Sequence, residues 1–467
     1  MSLNMTFIFK NLLAILILEI VFGDDPPCVC PGESTLCKQF PYHQGDDKKQ
    51  VIVISNSSLD HQVVKNWRWD SLTHILDHGP WDNNSDHVMC ETHRNNHQYG
   101  FYVEFPAGYN ASDLAIQTFI NTTRNRTHHQ FVDFVGVDLL RLLGQCGNSD
   151  QHIDDIINVT DTAFKALKDG LNIEIYCVMP WEPPCLKTPT CGITPHLGKI
   201  CDGMMLYPES YVNYCEDSCI AKATVQASKL YYGLTEYEAY GFPAEKILMG
   251  IPWYGYNYTC ESFSPSDTHP VCRLKMKPSD PKNSSSPLVC DLEGSRTKIR
   301  LGAIEGNKMD IVVSDGLFNR GDQAPYFVYN ATDKSNTTYY MAWYEDIASL
   351  FFKYQLAVSM KLKGAVVFSG DDLTYTDLGE DVSGFDTKMW GWILHFLLQS
   401  PDAVKNEEKN YAGMMAGIGI ALFLVGAVLG IILTCIALRR SKQPLRRPFS
   451  RDPAEVDDYH DDDNQQL

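Results

Sequence analysis

The ten residues Phe131–Leu140, FVDFVGVDLL, decide how the rest of this chain is read. The run is apolar apart from two carboxylates, Asp133 and Asp138, and its length and composition predict a buried strand. A buried carboxylate is costly unless it is paired or hydrogen-bonded. The stretch therefore marks a site, or what is left of one. Along a strand, alternate residues share a face, so positions 136, 138 and 140 point together and present Gly136, Asp138 and Leu140.

Outward from this strand, short apolar runs alternate with longer helix-like stretches, the pattern of an α/β fold with parallel strands. Strands are predicted at Val51–Ser55, Leu72–Asp77, Gly100–Pro106, Phe131–Leu140, Asn172–Pro180, Gly203–Pro208, Lys246–Tyr254 and Gly364–Gly370. Eight such units suggest a TIM (β/α)8 barrel, with a doubly wound sheet as the other arrangement of the same count. About 110 residues separate the seventh and eighth strands, far more than a strand–helix–strand crossover uses. That stretch, with Cys260, Cys272 and Cys290, reads as a small inserted subdomain at about 258–345. Thr387–Leu398, with Trp390 and Trp392, reads as the closing helix.

Two apolar segments set the compartment. Residues 1–23, with Asn11–Gly23 as their apolar part, read as a signal peptide. Met414–Leu438 runs 25 residues without a charge and is followed by Arg439, Arg440 and Lys442. It reads as a transmembrane helix within 412–438, after a polar stalk at 399–411 and before a cytoplasmic tail at 439–467. The expected topology is single-pass type I, at the cell surface or an endolysosomal membrane. Gly426-x-x-x-Gly430 makes a weak dimer through that helix an open reading. Fourteen of the 15 cysteines lie outside the span, and a disulfide framework is expected. Ten N-x-S/T sequons, at Asn56, Asn83, Asn110, Asn121, Asn125, Asn158, Asn257, Asn283, Asn330 and Asn336, predict a glycosylated surface. The formal charge of −19 falls almost wholly outside and disfavours nucleic acid and anionic polysaccharides as partners.

The block Lys246–Cys260, KILMGIPWYGYNYTC, crowds aromatics at the end of a strand, where rings can stack on sugar faces. This block, the strand at Phe131–Leu140, the Cys28, Cys30 and Cys37 cluster, QAPYFVYN at Gln323–Asn330 and Trp343–Tyr344–Glu345 together resemble glycoside hydrolase family 18 in its chitobiase branch. The resemblance covers about Cys28–Leu398. It implies a TIM barrel at 24–398 with a small α+β insertion between strands 7 and 8. It also implies N-acetylglucosamine-containing oligosaccharides or glycoproteins as partners.

In that family the catalytic strand reads D-G-x-D-x-D-x-E. Here Asp133 stands at the first Asp, Gly136 at the middle one, Asp138 at the last and Leu140 at the catalytic acid. A leucine cannot donate a proton, while the resemblance makes Asp138 the retained helper that orients an N-acetyl group. It further implies substrate contacts at Met205, Tyr207, Trp253, Tyr254 and Phe368, with Pro208 where the family has an Asp. Glu182 and Glu209, after the fifth and sixth strands, are the candidates for a displaced acid. No metal-ligand spacing, phosphate loop or serine-nucleophile elbow is present in the sequence, and neither metal nor cofactor is expected. Three readings stand open: a catalytically impaired protein that binds a glycan or a protein partner, a working glycosidase with a displaced acid, and a structural or adhesive surface protein.

Overall fold

The computed structural model describes residues 28–395, apart from 41–48, 56–61, 107–111, 144–152, 184–192, 210–218, 302–316, 374–382 and a few shorter stretches. Residues Met1–Ser400 form one compact unit. The second unit, Pro401–Leu467, lies wholly outside the described residues, and so do the signal peptide, stalk, membrane span, dimer motif and tail expected from the sequence. Among the described residues no helix is long and apolar enough to cross a membrane.

Strands β1 (Gln50–Ser55), β2 (His74–Asp77), β3 (Gln98–Glu104), β4 (Phe134–Asp138), β5 (Glu174–Pro180), β6 (Gly203–Tyr207) and β7 (Ile247–Pro252) pair in sequence order. A last strand after the insertion closes the ring between β7 and β1, so that eight parallel strands form a closed barrel. Helices such as Asp113–His129, Ile153–Gly170, Ala227–Ala239 and Ile347–Ser359 follow the strands. All eight expected strands are barrel strands, and the doubly wound alternative is excluded. Strand β4 is shorter than expected: Leu140 opens a single helical turn, Leu140–Leu143.

The barrel interior is filled in layers from alternate strand residues. At the bottom, His74, Phe134 and Tyr176 pack edge to face. The Phe134 ring fits because β3 carries Gly100, where a Cβ would lie 2.6 Å from it. Above them come Ile52, Leu76, Val178, Met205 and Leu248, all fully buried. The odd residues of β4 face outward, into the second cluster between barrel and helices.

Residues from Tyr254 to Trp343 hold the insertion. It comprises β8 (Tyr254–Thr259), β9 (Ser262–Ser264), β10 (Val271–Arg273), β11 (Met276–Pro278), β12 (Leu288–Cys290), β13 (Arg296–Arg300), β14 (Leu317–Asn319), β15 (Ala324–Asp333) and β16 (Asn336–Trp343), before the closing barrel strand β17 (Gly364–Phe368). Five of these form an antiparallel sheet in the order β13-β8-β16-β15-β14, and β9–β10 and β11–β12 form two small hairpins. Among the described residues, strand residues outnumber the helical residues of the insertion, which stand at Leu292–Ser295 and at Leu301. The alternating aromatics of Tyr254–Thr259 and Tyr339–Trp343 give the reason, since period-two patterning on a half-buried surface is strand patterning.

Five disulfides are described: Cys28–Cys37, Cys30–Cys90, Cys177–Cys201, Cys219–Cys290 and Cys260–Cys272. The sulfurs of Cys28, Cys30 and Cys37 lie within 4.8 Å of one another but are consumed in these bonds. Among the described residues, four sequons lie in helices. Their asparagines, Asn83, Asn121, Asn125 and Asn158, are exposed. The hydroxyl residues two positions on, Ser85, Thr123, Thr127 and Thr160, are at most 1% exposed.

Candidate functional site at the barrel mouth

The carboxyl ends of the strands form the open end of the barrel, where sites on this fold lie. Asp138 is the last residue of β4, half-buried, with both oxygens engaged. Tyr102 on β3 donates its hydroxyl to Oδ2 at 2.6 Å, and the Leu140 backbone N–H donates to Oδ1 at 2.7 Å. Burial pushes the Asp138 carboxyl above its ordinary range, against the pull of these two donors. Burial likewise drives the Tyr102 hydroxyl far above the usual tyrosine range, so it stays a donor. His78, exposed after β2, packs its ring on Tyr102 at 4.5 Å. Glu104, in register with Asp138 across the β3–β4 ladder, is exposed and pairs with Arg141 at 3.1 Å.

Leu140 is 3% exposed and belongs to the apolar cluster that fills the barrel, together with Ile54, Met205, Tyr254 and Phe368. The position of the missing middle carboxylate is closed as well. A Cβ on Gly136 would meet Leu76 at 2.9 Å and Met205 at 3.0 Å, so neighbouring side chains occupy that space. Tyr102 thus serves Asp138 from the next strand in place of a partner on its own.

On the opposite side of the mouth, Tyr207 and Phe368 pack edge to face at 5.3 Å, and the Phe368–Ser369 peptide is cis. Glu209, 8% exposed, accepts three hydrogen bonds: from Tyr254 at 2.5 Å, Tyr256 at 2.6 Å and Arg296 at 2.8 Å. Burial works against the Arg296 charge, but Glu209 and the tyrosines outweigh it and hold the guanidinium above its usual range. Lys298, two residues on, reaches Asp372 at 2.8 Å after β17. The inserted sheet is thereby fastened across one side of the mouth. Beside Glu209 lies a small pocket lined by Trp181, Lys222, Gln226, Tyr258 and Arg296.

Of the residues expected in a substrate site, Asp138, Tyr207 and Phe368 meet at the mouth. Tyr254 is there too, but is bonded to Glu209 and lies under Lys298. Met205 sits one layer deeper, fully buried. Trp253 is a correction. It is fully buried outside the barrel, edge to face with Trp390 at 4.8 Å. The physical reason is parity: Leu248 faces in, so odd positions of this stretch face the helices. Asp133 is also outside the barrel, near its closed end, held by His93 at 3.0 Å and by the Tyr99 and Phe40 backbone N–H groups. Glu182 lies outside the described residues. Tyr102, His78 and Glu104 were not foreseen. Their elements could be read from the sequence, but the register that brings them to Asp138 could not.

No family model matches the chain. Di-N-acetylchitobiase of Rattus norvegicus is 23% identical over 375 residues, covering 78% of this chain and 92% of that protein. The Homo sapiens di-N-acetylchitobiase is 23% identical over 387 residues, covering 82% and 91%. Among solved structures, a chitinase from Chromobacterium violaceum aligns with TM-score 0.51 at 13% identity over 75% of this chain and 100% of that one. A plant class V chitinase mutant from Cycas revoluta in complex with (GlcNAc)3 aligns with TM-score 0.51 at 10% identity, covering 74% and 99%. These likenesses support a relationship between this chain and glycoside hydrolase family 18.

Proposed function

We propose that this chain binds N-acetylglucosamine-type glycans at the barrel mouth without hydrolysing them, held at a membrane by its Met414–Leu438 segment. The observation that carries the reading is the contrast between Leu140 and Asp138. The acid position is an apolar residue packed into the barrel filling, while the helper carboxylate is still held at the mouth. Asp138 accepts an N-acetyl N–H through a remaining lone pair, and Tyr207 and Phe368 supply ring faces. The chitobiases it resembles supply the ligand class. General acid catalysis contributes roughly 100- to 10,000-fold, and among the described residues the carboxylates nearest the mouth are engaged elsewhere. All three contacts of Glu209 use it as an acceptor, and Arg296 engages it. Glu104 is drawn to Arg141.

The test uses the full chain in detergent with chitooligosaccharides between pH 4 and 7. The expected result is no turnover above a buffer control, with calorimetric binding on the order of micromolar or weaker, about −8 kcal/mol or less in magnitude. Turnover that disappears in Glu209→Gln or Glu104→Gln would establish the enzyme reading instead. Absence of heat at millimolar sugar would favour the structural one.

A further inference from the structure

Strand β13 reads Arg296-Thr297-Lys298-Ile299-Arg300. Alternation puts its three cations on one face and Ile299 on the other, where Ile299 packs with Phe327 and Ala342. The basic face turns toward the barrel mouth, since Arg296 meets Glu209 and Lys298 meets Asp372. Across the ladder, β8 sets a tyrosine opposite each cation: Tyr258, Tyr256 and Tyr254 pair with 296, 298 and 300 in turn. The columns interleave diagonally. The Arg296 guanidinium lies 3.8 Å from the Tyr256 ring centroid, and the Lys298 ammonium 4.2 Å from that of Tyr254.

Glu209 and Asp372 do not neutralise the column. The Arg296 side chain is 18% exposed, but that of Lys298 is 47% exposed despite its pairing. Arg300 is exposed, and among the described residues it forms no ion pair. Three cations face two carboxylates at the rim of the proposed sugar groove, on a chain whose formal charge is −19. Over a low-dielectric wall, local charge of one sign outweighs the field of the whole molecule at short range. We propose that β13 makes the mouth select N-acetylglucosamine glycans bearing an acidic group, sulfate or carboxylate, over neutral ones, with Lys298 and Arg300 meeting that group. This rests on the reading that the mouth binds sugar. It locally reverses the expectation from net charge.

β13 is an edge strand, and inward-turned charges also guard edges against pairing with other chains. That role alone predicts no preference between ligands. The experiment titrates the full chain in detergent with N-acetylchitotriose, its 6-O-sulfated counterpart and a hyaluronan tetrasaccharide, at 50 and 500 mM salt. The expected result is about tenfold tighter binding of an acidic ligand at low salt, shrinking at high salt as the charges are screened. Arg300→Glu should abolish the acidic-to-neutral ratio, and Lys298→Gln should reduce it. Preference for only one acidic ligand identifies the anion read, sulfate or carboxylate. Equal affinities, or a preference indifferent to salt and to Arg300→Glu, would overturn the proposal while leaving sugar binding intact. Failure of every ligand to bind would remove the sugar reading itself.

Discussion

Strand β4 carries a carboxylate near each end, and the two have opposite circumstances. Asp133, just before the strand, has a fully buried side chain that is hydrogen-bonded to the His93 ring and accepts from two backbone N–H groups. Through Phe40 it ties the N-terminal segment to the closed end of the barrel. Asp138, at the open end, is half-buried with two donors and one side toward the mouth. Five residues apart on one strand, the first is committed to the fold and the second is kept available. A buried carboxylate in a sequence thus says that partners exist, and its end of the strand says whether they belong to the fold or to the site.

The sharpest way to break this comparison is Asp133→Ala. It takes the partner from His93 Nε2 and from two backbone N–H groups and should cost about 3–5 kcal/mol by denaturant unfolding. A loss below about 1 kcal/mol would remove the distinction between the two ends. The closed end should also respond to acid. His74 is packed on Phe134, and burial holds its imidazole at about 3. Because that lies below the ordinary 6.5, the unfolded chain takes the proton first. The stability contributed is complete above pH 6.5 and is lost as pH falls from there toward 3, by about 2 kcal/mol at pH 5. Melting at pH 7.5 and 5 should show this loss, with a smaller one in His74→Gln.

At the open end, Asp138→Asn should unfold within about 0.5 kcal/mol of the parent, because the amide oxygen still accepts from the Leu140 N–H and the Tyr102 hydroxyl can turn to accept from the amide nitrogen. Its effect belongs in binding instead, with sugar affinity about tenfold weaker. Since burial raises the Asp138 carboxyl, affinity in the parent should fall on acidification at a pH above the ordinary aspartate value. The Asn variant should lack that step in a calorimetric pH series. Tyr102→Phe should cost about 1 kcal/mol of stability from one lost hydrogen bond, less than the tenfold change in affinity expected of Asp138→Asn. If it instead destroys folding, Tyr102 belongs with Asp133.

Period and parity were enough to read the eight strands and the shared face of 136, 138 and 140 in the sequence. The insertion was legible as an excess of length, though its strands began at Tyr254 and not near 258. Trp253 shows how a strong composition signal misleads. The aromatic block drew it to the cleft, whereas counting by twos from Leu248 sends it outward. Glu209 could be named as a candidate, but its fastening by Arg296, 87 residues later, depends on a sheet whose placement no local pattern encodes. Tyr102 was hidden for the same reason, since register between β3 and β4 is a tertiary fact.

The helical sequons set a timetable. In Asn83–Ser85, Asn121–Thr123, Asn125–Thr127 and Asn158–Thr160 the amide faces water while the hydroxyl is sealed inside. Positions two apart on a helix lie about 200° round the axis, so the finished barrel never shows both halves of the signal together. A transferase that reads amide and hydroxyl as one motif meets them only on the nascent, extended chain. Any sugar on that flank would therefore have to be added before the helices form, and unmodified chain that has already folded should resist the enzyme in vitro until it is unfolded again.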